Sequence, residues 1–140
     1  MQIKSMSKIT WNESFSVGVS VLDEQHHRII DLINSFVEQE TQAFDREILE
    51  SILSQLIDYG FEHLKLEEEM LEENDYPDFQ KHKHEHLLYV QKVTQFAKRK
   101  KSLTEEEYIE LGDFLNHWWI NHILEEDMKY RPFFDSKNIN

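Results

Sequence analysis

Eight histidines in 140 residues is a high count, and five of them fall at spacings that suit a shared metal site. His63 and Glu67 are four residues apart, and so are His82 and His86. On a helix such pairs lie about 40° apart around the axis, so both side chains point into one space. His26 and His122 stand singly on their segments, and Asp127 follows His122 by five residues. In α-helical geometry that places Asp127 about 140° from His122. It serves the same site only by reaching sideways across the bundle, which suits a bridging ligand. A lone histidine on an apolar face is ordinarily a satisfied core residue. Five imidazoles and two carboxylates interrupting four apolar faces are another matter. Burying one polar group without a partner costs about 2–7 kcal/mol, against a whole-domain stability of about 5–15 kcal/mol. Bound metal compensates all seven groups together.

The donor set narrows the choice of metal. Five nitrogens and two carboxylates exceed what one tetrahedral zinc takes, and calcium and magnesium prefer oxygen. Imidazole mixed with carboxylate suits iron, copper or manganese. Two bridging carboxylates and five terminal histidines serve a pair of metals. With one further bridging oxygen from solvent, one metal is six-coordinate and the other five-coordinate, leaving a vacancy for a small ligand. The chain has no cysteine, which excludes disulfides, thiolate zinc sites and iron–sulfur clusters.

Four helical segments must position these residues. The first is expected from about Asp23 to Gln39, with Leu22, His26, Ile29, Ile33 and Phe36 on one stripe. The second runs from about Asp45, a suitable N-cap, to Glu73, with Ile52, Leu56, Tyr59, His63, Glu67 and Met70. After Asn74-Asp75-Tyr76-Pro77, with Pro77 in the first turn of the next helix, the third reaches about Lys100 and carries His82, His86, Tyr89, Val93 and Phe96. The fourth starts at Thr104, whose spacing to Glu107 is that of a capping box. It carries Leu111, Leu115, Trp118 and His122 and is expected to end at Arg131-Pro132. Short connections between long helices imply antiparallel neighbours, so the expected fold is all-α, an up-down-up-down four-helix bundle. An irregular N-terminal arm (residues 1–20) precedes the bundle (21–134) in a single domain, its Trp11, Phe15 and Val17 packed on the bundle.

Composition agrees. Three glycines, two prolines and 31% charged residues favour long helices over a turn-rich β fold. A net charge of −13 argues against nucleic acid and against an anionic membrane surface as partners. The basic run Lys98-Arg99-Lys100-Lys101 reads as a helix C-terminus, where the dipole favours cations. No signal peptide precedes the bundle and no segment is long and apolar enough to span a bilayer, so the expectation is a cytoplasmic protein. No apolar stripe is left over once the core is assigned, which points to a monomer. His27, His84 and His117 fall off the shared spacing. Glu24 and His27 have the Glu-x-x-His spacing of carboxylate-rich di-iron bundles, which need that motif twice; it occurs once, beside a better-placed His26. Glu68, Glu69, Glu72 and Glu73 read as a solvated acidic face.

The sequence resembles the hemerythrin family, and within it the single-domain bacterial members, the bacteriohemerythrins. The resemblance rests on His26, His63-x-x-x-Glu67, His82-x-x-x-His86 and His122-x-x-x-x-Asp127. Supporting stretches are WNESFSVGV, DEQHH, HLKLEEEML, HKHEH, and HWWINHILEED followed by Tyr130. It covers about Trp11 to Phe133. It implies two non-haem iron ions with an oxo or hydroxo bridge. His82, His86 and His122 would bind one iron, His26 and His63 the other, open one, and Glu67 and Asp127 would bridge. It implies dioxygen as ligand of the open iron, each ferrous ion giving one electron, with Trp118, Trp119 and Ile123 lining the oxygen pocket. Tryptophan is common in the family at Trp118, whereas leucine is more usual at Trp119, so Trp119 would narrow the pocket. The expected function is oxygen carriage, storage or delivery, without enzymatic turnover. A sensor of oxygen, redox state or nitric oxide, acting through a separate partner, and a di-iron redox enzyme are the alternatives.

Overall fold

The computed structural model describes residues 8–42 and 44–140. Four long helices carry the architecture: α1 (Ser20–Gln42), α2 (Arg46–Glu73), α3 (Phe79–Lys98) and α4 (Glu105–Asn121). Beyond α4 the chain continues through a π-turn (His122–Glu126) and a 3-10 turn (Asp127–Tyr130) into a short helix, α5 (Arg131–Ser136). Helix α1 packs on α2 and α4, and α2 packs on α3; with short connections this is the expected antiparallel bundle. No strand occurs among the described residues, and no described helix is long and apolar enough to cross a membrane.

Local chemistry sets the boundaries. Helix α1 starts three residues before the expected Asp23, because that side chain is engaged with the arm. Asp23 accepts hydrogen bonds from the Val17 N–H (2.8 Å) and the Ser16 hydroxyl (2.6 Å). Phe15 and Val17 are buried and Trp11 is partly buried against the core, while Gly18, at φ +78°, takes the left-handed backbone that leads into α1. Residues 1–7 of the expected arm lie outside the described residues. Asp45 caps α2 through the Ile48 N–H (3.3 Å), and the Thr104–Glu107 capping box is complete in both directions.

Four expectations are corrected. Pro77 lies in the turn before α3, whose first residue is Phe79, so the proline follows the Asp75 reversal (φ 57°) and does not open the helix. Arg131-Pro132 does not end the fourth segment; Pro132 occupies the first turn of α5, where its missing N–H costs nothing. Trp119, not Trp118, is the fully buried tryptophan. Tyr59 and Met70, at the edges of the α2 stripe, are only partly buried, while Leu49, Leu53, Leu64 and Leu71 fill that face.

The buried residues form two clusters. The larger fills the bundle and includes Ile29, Leu64, Tyr89, Trp119 and Ile123. The smaller closes one end and includes Leu22, Leu71, Phe79 and Tyr130. Along each helix the polar donors fall between the two: His26 between Leu22 and Ile29, Glu67 between Leu64 and Leu71, His82 and His86 between Phe79 and Tyr89, Asp127 between Ile123 and Tyr130. The fold thus holds one polar layer between two apolar ones.

Candidate metal centre

All seven residues singled out by spacing are buried in that layer: His26, His63, Glu67 and Asp127 are fully inaccessible, and His82, His86 and His122 are at most 3% exposed. Their donor atoms form two overlapping groups. One comprises Glu67, His82, His86, His122 and Asp127; the other comprises His26, His63, Glu67 and Asp127. The two carboxylates belong to both groups, and each divides its oxygens between them. Glu67 Oε1 lies 2.5 Å from His82 Nε2 and 3.0 Å from His86 Nε2, while its Oε2 lies 3.3 Å from His63 Nε2 and 3.7 Å from His26 Nε2. Asp127 Oδ1 lies 3.1 Å from His82 Nε2 and 3.0 Å from His122 Nε2, and its Oδ2 lies 3.0 Å from His26 Nε2. Five imidazoles therefore turn the same ring nitrogen, Nε2, toward two bridging-disposed carboxylates.

The way Asp127 arrives differs from the expected sideways reach. The chain widens after α4, and the Asp127 N–H donates to the carbonyls of His122 and Ile123. The bond to His122 spans five residues, the π pattern. It places Asp127 about one turn above His122, so both face the layer and approach to 3.0 Å.

Outer contacts orient several of these rings. His63 Nδ1 lies 2.7 Å from Gln25 Oε1, and His86 Nδ1 lies 2.9 Å from Glu68 Oε2. Oxygen acceptors at Nδ1 place the proton there and turn the Nε2 lone pair inward, as ligand histidines require. Tyr130 donates its hydroxyl to Glu67 Oε2 at 2.9 Å. Gln25, Glu68 and Tyr130 were not identified from sequence as part of the site. For Glu68 the solvated-face expectation is corrected: its carboxylate turns to His86, whereas Glu69, Glu72 and Glu73 are exposed.

The electrostatics are those of a site made for cations. Burial pushes the His26, His82 and His122 imidazoles toward their neutral form, yet the Asp127 and Glu67 carboxylates outweigh it: His26 is pushed up to about 9, His82 to about 10 and His122 to about 9. His63 goes the other way, lowered by burial and by the neighbouring charge on His26. Burial pushes both carboxyls up, but the surrounding imidazoles hold Glu67 and Asp127 far below the usual carboxylate range. Protons alone do not satisfy the layer. Both nitrogens of His26, Nε2 of His63 and both oxygens of Asp127 are buried with no aligned hydrogen-bond partner among the described residues. His86 Nε2 and His122 Nε2 stand 3.0 Å apart, two nitrogens that repel unless a proton or cation lies between them. Orphaned buried groups of this kind need an explanation, and cations held in the two groups would supply it.

The remaining sequence candidates have definite places. Trp118 is partly exposed and stacks on His122, ring centres 4.4 Å apart at 11°. Trp119 is fully buried, 5.8 Å from the His63 ring, and donates its Nε1–H to the Tyr89 hydroxyl at 3.0 Å. Ile123 is fully buried in the larger cluster. His27, His84 and His117 are exposed.

Known proteins resemble this chain. Residues 17–134 match the hemerythrin HHE cation-binding domain. The chain is 30% identical over 125 residues to a bacteriohemerythrin of Stenotrophomonas maltophilia, covering 89% of this chain and 80% of that protein. It is 32% identical over 125 residues to a hemerythrin-like protein of Naegleria gruberi, covering 89% and 92%. Among solved structures, a wild-type hemerythrin superposes with a TM-score of 0.79 at 28% identity, covering 90% of this chain and 97% of that one. A leucine-to-tyrosine variant of hemerythrin gives 0.80 at 29%, covering 91% and 97%. A four-helix bundle with one buried histidine–carboxylate layer, a domain match spanning from the arm to α5, and relatives aligned over nine-tenths of the chain lead to one assignment: the chain belongs to the hemerythrin family.

Proposed function

We propose that this protein binds dioxygen reversibly at a non-haem di-iron centre. One observation carries the reading: three histidines and two histidines face opposite sides of the same two carboxylates, each carboxylate offering one oxygen to each side. His82, His86 and His122 would hold one iron, His26 and His63 the other, and Glu67 and Asp127 would bridge them. The side with two histidines has one protein donor fewer, and a small ligand fits that deficit. Held by these residues, a ferrous pair would supply two electrons, one from each ion, to dioxygen, so that no superoxide need be released. The protein's part is to hold and to exclude. Gln25 and Glu68 fix ring orientation, Tyr130 holds Glu67 in place, and Trp119 and Ile123 keep water from the His63 side, where protons would otherwise promote loss of a reduced ligand. Trp118, on the opposite side against His122, would shield the three-histidine half, and Trp119, in the core beside His63, would narrow the approach to the ligand.

The role we assign is carriage, storage or delivery of oxygen by a monomer in the cytoplasm, and not turnover. An anaerobic-to-aerobic optical titration with iron quantification tests it. Two irons per chain are expected, with a colourless reduced form that gains a visible band in oxygen and loses it under vacuum. Irreversible oxidation within seconds would refute reversible binding. Rapid multiple turnover with a reductant would make the protein an enzyme, and a partner captured only in one ligand state would make it a sensor.

A further inference from the structure

One buried hydrogen-bond donor has no use in the arrangement described so far. The Tyr89 hydroxyl accepts the Trp119 Nε1–H at 3.0 Å, but its own proton meets no acceptor among the described residues. Tyr89 is 1% exposed, and burial pushes its pKa up, so the phenol keeps that proton. A buried donor left unspent is costly, and such groups in folded proteins usually answer to a ligand, water or ion.

The surroundings of the hydroxyl point to a ligand. Tyr89 lies one turn along α3 from His86, and Gly60 lies one turn before His63 on α2. A methyl group on Gly60 would stand 3.6 Å from the Trp119 ring and 3.9 Å from the Tyr89 hydroxyl oxygen. Those are ordinary contact distances, so α2 leaves a gap of at least methyl size opposite the hydroxyl. Trp119 bridges the gap to the metal layer, its ring centre 5.8 Å from that of His63 and 5.3 Å from that of Tyr89. Gly60 and His63 are both buried on α2, three residues apart, so the gap lies one helical turn from the His26–His63 side, where the donor set is one short.

We propose that Tyr89 donates a hydrogen bond to the outer end of a small ligand held on the His26–His63 side, and so favours small anions with a terminal acceptor atom, such as azide, cyanate or reduced dioxygen, over neutral weak acceptors such as carbon monoxide. This rests on the metal reading above. The competing account is that the hydroxyl serves only to satisfy the Trp119 N–H.

The experiment is azide binding to the oxidised, iron-loaded protein, followed by resonance Raman in H2O and D2O. Azide carries no proton, so a D2O shift of its stretching band reports a donor on the protein side. The wild type is expected to show the shift. Tyr89→Phe should lose it and bind azide about tenfold more weakly. An azide band insensitive to D2O in the wild type, or a shift that persists in Tyr89→Phe, overturns the proposal. A protein that takes up no iron refutes the metal reading itself, an outcome distinct from an azide adduct without a D2O shift.

Discussion

Tyr130→Phe isolates one hydrogen bond in the polar layer. The Tyr130 hydroxyl donates to Glu67 Oε2 at 2.9 Å, and both residues are fully inaccessible. The ring is fixed independently of that bond by Phe134 (5.1 Å between ring centres), His82 (5.6 Å) and Tyr76 (6.3 Å), so phenylalanine keeps the packing and removes only the donor. Nothing nearby takes over. The other neighbours of Oε2, His63 Nε2 at 3.3 Å and His26 Nε2 at 3.7 Å, are among the atoms lacking an aligned partner. Glu67 is held well below the usual carboxylate range, so the lost bond is one to a charge. Such a bond contributes about 1.5–3 kcal/mol when buried, and at roughly 3–4 °C per kcal/mol for a domain of this size the melting temperature should fall by about 5–12 °C. The assays are thermal melting and urea denaturation of metal-free protein in chelator, the urea midpoints compared at equal slope. Tyr76→Phe is the control: it sits in the same aromatic cluster, and no hydrogen bond of its hydroxyl occurs among the described residues. If Tyr130→Phe costs no more than Tyr76→Phe, the view of Tyr130 as a strong partner of Glu67 is wrong.

Three further outcomes are expected. Glu68→Ala and Gln25→Ala remove the Nδ1 partners of His86 and His63 and should each weaken iron binding by about 10–100-fold with the helical circular dichroism unchanged; competition with a chelator of known affinity measures it, and unaltered affinity would show that ring orientation comes from packing alone. For pH, His26, His82 and His122 are raised above the ordinary 6.5 to about 9, 10 and 9 in the metal-free fold. Their contribution to stability is therefore complete below 6.5 and lost as pH rises toward 10, with His63, lowered, acting in the opposite sense. Metal must displace those protons, so the gap in melting temperature between loaded and metal-free protein should widen from pH 6.5 to 9, and parallel melting curves over that range would contradict the assignment. Thr104→Ala breaks the capping box of α4 and should cost about 1 kcal/mol in urea titration without changing the iron content; a shift in iron content would mean that the start of α4 sets the register of His122.

Much of this architecture was legible in the sequence because one residue type does two jobs. Each donor occupies a position that the apolar period marks as buried, so periodicity located the helices and the exceptions to it located the site. His26, His82 and His86 needed nothing more than the 3.6-residue repeat. Trp118 and Trp119 show the limit of that reasoning: adjacent tryptophans at the edge of a stripe differ by about 100° around the axis, and the choice of which enters the core is made by a partner on another helix, the Tyr89 hydroxyl that accepts the Trp119 N–H. Glu68 and Gln25 were opaque for the same reason, since a polar side chain on a helix edge reads as solvated until the ring it meets is known.

Asp127 is the instructive case, because its residue type is plain in the sequence and its placement is not. An α-helix continued through His122 would aim Asp127 about 140° away, and the carboxylate would have to lean across the bundle, adjusting to the metals by side-chain motion. The π-turn replaces that lean with backbone geometry: the Asp127 N–H bonds back to the His122 carbonyl, and the carboxylate meets His122, His82 and His26 at 3.0 to 3.1 Å from a main chain fixed by hydrogen bonds. A carboxylate set by backbone stays put when the charge around it changes, whereas one reaching sideways on free torsions would follow the charge. Local propensity does not encode such a turn, which is a wide turn stabilised by what it delivers. The wide turn ends the regular period of α4, so the chain must restart as a 3-10 turn and then as α5, which is why Pro132 opens a helix where it was expected to close one. The same restart brings Tyr130 around to Glu67. The departure from α-helical geometry at His122 therefore accounts together for the placement of the Asp127 carboxylate, the Tyr130 hydrogen bond to Glu67 and the unexpected terminal helix.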